Sequence, residues 1–433
     1  MIAGGFGSAI LLGTGLLSLP FATEAGTRAP FVDALFTSTS AVCVTGLVTV
    51  DTSSHWSLSG EIVILVLIQA GGLGIMTLAT LLAVVLARRI DLRTRLRAQA
   101  ETKSLRLQDI RRVVRNIVAF SLGSELVVAV ILTARFATAY DRPFGDAAYS
   151  GVFHAISAFN NAGFSLHADS LMRYVADPWV TGTIAVAFIV GGLGFPVIFE
   201  LVRSWRRPRR WSVLTKLTVG ISAALLVIGT VVITISEYNN PKTLGPLNGP
   251  AKLLAGFFAS ATARTAGFNS IDVAEMHPVS WLFTDLLMFI GGGSAGTAGG
   301  IKVTTFGLLA FVIWAEMRGE SRVNVGRRRV PETNHRQALT IALLGIGLVA
   351  VVTFLLLALT PYRLDRVLFE TVSAFGTVGL STGITADLPR VAHVLITVLM
   401  FVGRLGPLTL ASALALRERP RRYELPEERT IVG

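Results

Sequence analysis

Phe36-Thr37-Ser38-Thr39-Ser40-Ala41-Val42-Cys43-Val44-Thr45-Gly46-Leu47 is a stretch that the chain repeats without gaps at residues 153–164, 257–268 and 369–380. Each copy places a Phe ten residues before a Gly: Phe36 and Gly46, Phe153 and Gly163, Phe257 and Gly267, Phe369 and Gly379. Leu or Phe follows the Gly every time. Ser stands six residues before it in three copies (Ser40, Ser157, Ser373), and Ala261 takes that place in the third. The Gly-to-Gly intervals are 117, 104 and 112 residues, enough for two membrane spans per copy.

A second match lies downstream of each copy. Gly71-Gly72-Leu73-Gly74, Gly191-Gly192-Leu193-Gly194, Gly291-Gly292-Gly293 and Gly403-Arg404-Leu405-Gly406 begin 25, 28, 24 and 24 residues beyond the loop Gly. Each unit therefore reads as an apolar span, a short amphipathic half-span ending in the Gly motif, a second apolar span and a basic cluster. Eight spans are expected, over residues 3–23, 60–87, 113–134, 179–202, 213–236, 279–317, 338–359 and 391–416. Residues 31–42, 145–159, 250–263 and 364–375 are too short to cross about 30 Å of hydrocarbon and are expected as half-spanning pore helices. The downstream glycines are read first as close-packing sites between helices. The loop motifs are not, because polar backbone at a re-entrant turn is tolerated in a membrane only where it lines protein or water.

The expected fold class is an all-α polytopic membrane protein, with four M1-pore loop-M2 repeats around a central pore. Repeat 1 occupies 1–90, followed by a basic cytoplasmic loop over 91–112. Repeat 2 occupies 113–205, repeat 3 occupies 206–320 with a broken second span at 291–300, repeat 4 occupies 321–416, and a cytoplasmic tail occupies 417–433.

Composition agrees with a chain in lipid: 52% of the 433 residues are hydrophobic and 15% charged, with a mean hydropathy of +0.63. A net charge of +12 would suggest a nucleic-acid partner for a soluble protein, but the charge is segregated. Of 39 Lys and Arg, 10 lie between Arg88 and Arg115, 6 between Arg203 and Lys216, 6 between Arg318 and Arg336, and 5 from Arg417 onward. By the positive-inside rule every cluster faces the cytoplasm, both termini included, of a multi-pass protein in the plasma (inner) membrane. The clusters then serve as topology signals and anchors to anionic lipid, and nucleic acid is set aside. The loop 91–112 and the tail 417–433 are the best candidates for docking a regulatory subunit. Residues 2–21 lack the basic leader of a secretory signal and are expected as a retained first span. The lone Cys43 excludes a disulfide within the chain, the six His show no metal-binding spacing, and no nucleophile elbow is present, so an enzyme has no support.

Four such loops on one chain can surround an axis. Residues of alternating handedness turn their carbonyls to one side, and only Gly adopts φ > 0 freely. Stacked carbonyl oxygens can replace the hydration shell of an alkali cation, and each pore helix aims its negative carbonyl end at the axis. The candidate lining is Val44, Thr45 and Gly46; Asn161, Ala162 and Gly163; Thr265, Ala266 and Gly267; Thr377, Val378 and Gly379.

These loops, Val42 to Leu47, Asn160 to Phe164, Arg264 to Phe268 and Gly376 to Leu380, resemble the filters of the Trk/Ktr/HKT superfamily of potassium transporters. The likeness covers nearly the whole chain and includes one filter Gly per repeat in place of the doubled Gly of potassium channels. With eight expected spans, the chain resembles the KtrB branch more than TrkH. The resemblance implies K+ as the transported ion, Na+ as an activator or co-ion, and no organic cofactor. It further implies a homodimer and a cytoplasmic ring of nucleotide-binding RCK subunits of the KtrA or TrkA type.

Gly291-Gly292-Gly293-Ser294-Ala295-Gly296-Thr297-Ala298-Gly299-Gly300 is too rich in Gly to remain a helix, and it lacks the Gly-Lys-Ser/Thr of a phosphate loop. The resembled family has an intramembrane gating loop here, so this segment is expected to block the pathway and to move on activation. Lys302 and Arg404 fall at lipid depth, where a charge is costly and usually functional. Arg404 resembles a family arginine near the pore and is expected to contact carbonyls of the Gly-rich break and oppose cations; a pair with a buried carboxylate is the alternative. Arg264 is expected to point away from the axis and buttress its loop. Glu125 and Asp285 are read as ion ligands or, more simply, as helix-pairing groups. The rival function is a secondary transporter of a small solute or a sodium-coupled cation symporter built from inverted repeats with broken helices. Basic clusters on one side of all four repeats argue for parallel repeats instead.

Overall fold

The computed structural model describes residues 2–95, 107–320, 322–325 and 328–416. Residues 96–106 of the basic loop and the whole tail 417–433 lie outside the described residues, and the docking role expected of these segments lies there with them.

In the first quarter, α1 (Ile2–Leu17) leads to a 3-10 turn at Pro20–Ala22, α2 (Phe31–Val42), the single turn α3 (Thr52–His55) and the long α4 (Leu58–Arg95). The second contains α5 (Leu107–Ala139), α6 (Phe144–Phe159), α7 (Pro178–Leu193) and α8 (Phe195–Ser204). The third contains α9 (Val213–Glu237), α10 (Gly249–Thr262), α11 (Pro278–Phe289) and α12 (Val303–Met317). A short antiparallel ribbon, β1 (Asn324–Val325) with β2 (Arg328–Arg329), precedes the fourth quarter of α13 (Glu332–Leu359), α14 (Leu364–Gly376) and α15 (Arg390–Leu416).

The helix boundaries have local causes. Pro30 and Pro143 stand immediately before α2 and α6. Asn248 caps α10 by accepting from the Ala251 amide at 3.0 Å, and Asp177 caps α7, whose first residue is Pro178. Leu58–Thr80, Arg111–Ala139, Val213–Glu237 and Glu332–Leu359 are unbroken, apolar and long enough to cross a membrane. Their outward faces carry exposed Val66, Leu126, Val130, Val227 and Phe354, as helices against lipid do.

Three expected spans differ from the structure. The span at 3–23 ends as helix at Leu17, because Pro20 opens a 3-10 turn. The span at 279–317 is two short helices, α11 and α12, joined by a stretch wider than the expected break 291–300; it is held by a parallel bridge between Ile290 and Ile301. The span at 179–202 is also broken. Its halves, α7 and α8, meet at 102°. Gly194 sits between them at φ 91 and ψ 139, and Pro196 follows inside the new helix.

Packing closes these quarters into a ring. Each half-spanning helix packs on the helix before it, as α1 with α2, α5 with α6, α9 with α10, and α13 with α14. Small residues allow that approach: Ser38 Oγ donates to the Ile10 carbonyl at 2.8 Å, and Ser260 Oγ to that of Leu226 at 3.0 Å. The second series runs around the ring. α4 meets α6, α7 meets α10, α11 meets α14, and α15 returns to α2. Phe36, Phe153 and Phe369 are fully buried in this shell. In the third quarter Phe258, one place later than the repeat predicts, is the fully buried residue and stands edge-on to Phe188 at 5.8 Å.

Candidate functional site

A left-handed residue follows the end of each half-spanning helix by one to three places, and a second left-handed residue stands two places after the first. The pairs are Val44 (φ 56) and Gly46 (φ 90), Asn161 (φ 58) and Gly163 (φ 72), Thr265 (φ 73) and Gly267 (φ 78), and Thr377 (φ 48) and Gly379 (φ 95). The sequence signals the glycines. It does not signal Val44, Thr265 or Thr377, whose branched side chains are unfavourable at φ > 0 by about 1–3 kcal/mol each.

The loops meet in cyclic order. A methyl added at Gly163 would lie 2.8 Å from the Ala266 carbonyl oxygen. The same construction at Gly46 meets the carbonyl of Ala162, at Gly267 that of Val378, and at Gly379 that of Thr45. One carbonyl of each loop thereby stands against the glycine of its neighbour, and the four contacts close a ring whose oxygens are a donor set suited to an alkali cation. Thr45, Thr265 and Thr377 also carry buried hydroxyls without partners among the described residues.

Strain is held by bonds back to each helix end. The Thr45, Ala162 and Val378 amides donate to the carbonyls of Ser40, Ser157 and Ser373 at 2.8, 2.7 and 2.9 Å. In the third loop the Ala266 amide donates to the Thr262 carbonyl at 2.9 Å. The Ser40 and Ser373 hydroxyls accept from the Gly46 and Gly379 amides at 3.0 and 3.1 Å. Ser157 instead donates to the Phe164 carbonyl at 2.7 Å, and Thr262 donates to that of Phe268 at 2.6 Å. Thr262 thus takes over the bond that Ala261 cannot make.

Above the ring a cavity of about 340 Å³ is lined by Asp51, Asp272, Ser381 and His167 among others. Burial, then the Arg142 and Arg173 cations, depress the His167 imidazole to about 4, so it is neutral at pH 7.

Below the ring lies the Gly-rich segment. The Gly293 amide donates to the Gly192 carbonyl at 2.8 Å and the Thr297 amide to that of Gly191 at 3.1 Å, so the segment seats against the broken helix of the second quarter. Gly299 lies against Gly376 and Thr377 of the fourth loop. Thr297 Oγ1 donates to Asn161 Oδ1 at 2.7 Å. Arg404, 4% exposed, donates through Nη1 to the Thr297 carbonyl, while its Nε and Nη2 have no partner among the described residues. Lys302 Nζ turns back to the Ala298 carbonyl at 2.5 Å. The Arg264 guanidinium reaches Ser222 Oγ at 2.9 Å and the Gly291 carbonyl at 3.4 Å.

The downstream glycines are sites of close approach. Added methyls at Gly71, Gly191 and Gly403 would strike the Val42, Phe159 and Phe375 carbonyls, at or beside the ends of α2, α6 and α14. Glu125 accepts from Gln69 Nε2 at 3.0 Å and Asn160 Nδ2 at 3.2 Å, and so ties α4, α5 and the end of α6 together. Asp285 lies near Glu370 and keeps one buried oxygen without a partner among the described residues. Glu370, which the sequence did not single out, accepts from Ser381 Oγ, the Thr382 amide and Thr385 Oγ1 at 2.6, 2.8 and 2.7 Å. It braces the turn after the fourth loop, and an acidic residue on a half-spanning helix was the available signal.

A family model for TrkH, described as a cation transport protein, matches residues 10–421. The chain is 40% identical to the Ktr system potassium uptake protein B of Vibrio alginolyticus, over 96% of this chain and 91% of that protein. It is 41% identical to the protein of the same name from Bacillus subtilis (strain 168), over 100% and 96%. A solved structure of the potassium transporter TrkH from Vibrio parahaemolyticus superposes with a TM-score of 0.71 at 20% identity, covering 96% of this chain and 86% of that one.

Proposed function

The chain belongs to the TrkH family of cation transport proteins, and from that premise we propose that it is the potassium-translocating membrane subunit of a Ktr-type uptake system. The observation that carries the reading is the cyclic closure of four loops, each with two left-handed residues, into one ring. A potassium ion entering from the acidic mouth exchanges its water shell for carbonyl oxygens of Thr45, Ala162, Ala266, Val378 and their neighbours. The ends of α2, α6, α10 and α14 add the negative poles of their helix dipoles. The four M1-pore loop-M2 units set out above provide the frame, with both termini on the cytoplasmic side.

Residues 290–302 act as the gate. What supports this is their contact with Asn161 of the second loop and with Gly376 and Thr377 of the fourth, together with the bonds to the Gly191 and Gly192 carbonyls and to Arg404. Arg404 and Lys302 place positive charge on the ion's way out, so conduction requires the segment to move aside with its cations. Sodium as activator or co-ion, a homodimer, and a cytoplasmic nucleotide-binding partner of the KtrA or TrkA type complete the reading.

Rubidium uptake into proteoliposomes, with potassium and sodium as competitors, tests it. Potassium should compete better than sodium, and Gly→Ser at Gly46, Gly163, Gly267 or Gly379 should erode that preference. Uptake blind to potassium, or indifferent to all four substitutions, refutes the filter. Deleting residues 291–300 should raise flux; unchanged rubidium uptake refutes the gate.

A further inference from the structure

The second loop differs from the other three in how its side chains are held. Asn160 and Asn161, adjacent in sequence, reach in opposite directions. Asn160 Nδ2 donates to Gln69 Oε1 at 2.8 Å and to Glu125 at 3.2 Å, which fixes the end of α6 to the surrounding helices. Asn161 instead accepts from the Thr297 hydroxyl of the Gly-rich segment at 2.7 Å. Both partners are buried, at 1% and 0% exposure. At the matching place in the first loop stands Val44, whose side chain cannot hydrogen-bond, and in the third Thr265, whose hydroxyl has no partner among the described residues. The fourth loop touches the segment where Gly299 packs on Thr377.

Asn161 is also a backbone member of the ring, at φ 58 between the helix end and Ala162. Asn tolerates this region better than most residues, so its backbone is not locked by sterics alone. The Thr297 hydroxyl therefore adds a restraint on the carbonyl geometry of one loop, and it comes from the element that must move for ions to pass. Resting on the reading of 290–302 as gate, we propose that Asn161 is a selectivity-positioning residue whose hold depends on the gate. With the segment seated, Thr297 fixes the second loop; with the segment withdrawn, that loop loosens and ion discrimination falls. Linkage makes the effect reciprocal: a cation that tightens the second loop favours the seated segment.

The test uses the full chain in detergent with no activating partner, so that the segment stays seated, and reads by equilibrium titration the ratio of the sodium to the potassium dissociation constant. Thr297→Val, close in shape but without the hydroxyl, should lower the preference for potassium roughly three- to tenfold, the range for loss of one buried hydrogen bond. Thr297→Ser should retain it. Asn161→Gly keeps the left-handed backbone without strain and should reproduce the Thr297→Val shift, and the double variant should be no worse than either single one. A Thr297→Val protein with unchanged preference and half-saturation overturns the proposal, as do Thr297→Val and Asn161→Gly effects that multiply. The filter Gly→Ser series separates the two ideas. If those substitutions erode discrimination and Thr297→Val does not, only the link to the gate is lost; if they too are silent, the filter reading falls and this inference with it.

Discussion

The first and second quarters carry the same tetrapeptide at equivalent places and fold it differently. Gly71-Gly72-Leu73-Gly74 stays within the unbroken α4, whereas Gly191-Gly192-Leu193-Gly194 ends α7 and turns the chain through 102° into α8. Two differences account for this. Ile75 and Met76 follow the first copy, but Phe195 and Pro196 follow the second, and Pro196 cannot continue a helix from α7. The Gly-rich segment then supplies new partners: the Phe195 amide donates to the Ala295 carbonyl at 3.3 Å, and the Ser294 carbonyl lies where a side chain at Gly194 would stand. Four glycine-rich residues permit a break, and their neighbours decide whether it occurs.

The sharpest way to break this comparison is to give both copies a side chain at the last Gly. Gly194→Ala places a Cβ against the Ser294 carbonyl in a backbone region that L residues avoid. It should cost at least about 1–3 kcal/mol from the backbone alone and lower the thermal midpoint in detergent. Gly74→Ala meets only the Phe6 ring at 3.6 Å and should be neutral or gain up to about 1 kcal/mol. Equal losses at both sites contradict the account.

Next in size is the fastening of the segment on the second quarter's side. Arg404→Ala removes the bond to the Thr297 carbonyl and one cation beneath the ring, and rubidium uptake should rise several-fold, about the effect of one buried charge-assisted bond. An unchanged uptake rate and potassium affinity would deny Arg404 a part in the barrier.

Pro196→Ala should have a smaller effect. Proline near a helix start gives up no needed amide, and the Gly-rich segment still holds the bend. Spin-label distances across α7 and α8 should stay as in the wild type; straightening would mean that Pro196 alone decides the break.

A pH-dependent effect concerns the outer mouth, where His167 stands four residues after its loop Gly and the first quarter has Val50. The imidazole is depressed to about 4 from an ordinary 6.5, by burial and then by Arg142 and Arg173, with Asp169 opposing. The fold thus favours the neutral ring, and this contribution is full above pH 6.5 and lost as pH falls toward 4. Thermal midpoints should drop over that window in wild type and less so in His167→Val; parallel curves would show that His167 is not the group titrating.

Much of the site was legible because it repeats. The half-spanning helices lie within about a residue of the expected segments, since Pro30, Pro143 and Pro250 mark their starts and the Gly motif their ends. The left-handed Val44, Thr265 and Thr377 were not legible: nothing in a branched residue announces φ > 0, and the bonds back to each helix end hold it. The bend at Gly194 was missed although Pro196 was visible, because hydropathy averages over such a break.

By itself the sequence determined that the chain lives in lipid, that it contains four related loops, and where each half-helix stops, since hydrophobic run length, glycine and proline act locally. The tertiary structure alone decided the closure of α15 onto α2, the partner of each loop carbonyl, and the seating of Thr297 on Asn161. Those depend on groups more than a hundred residues apart, and no local propensity reports which distant surface a buried polar atom will find.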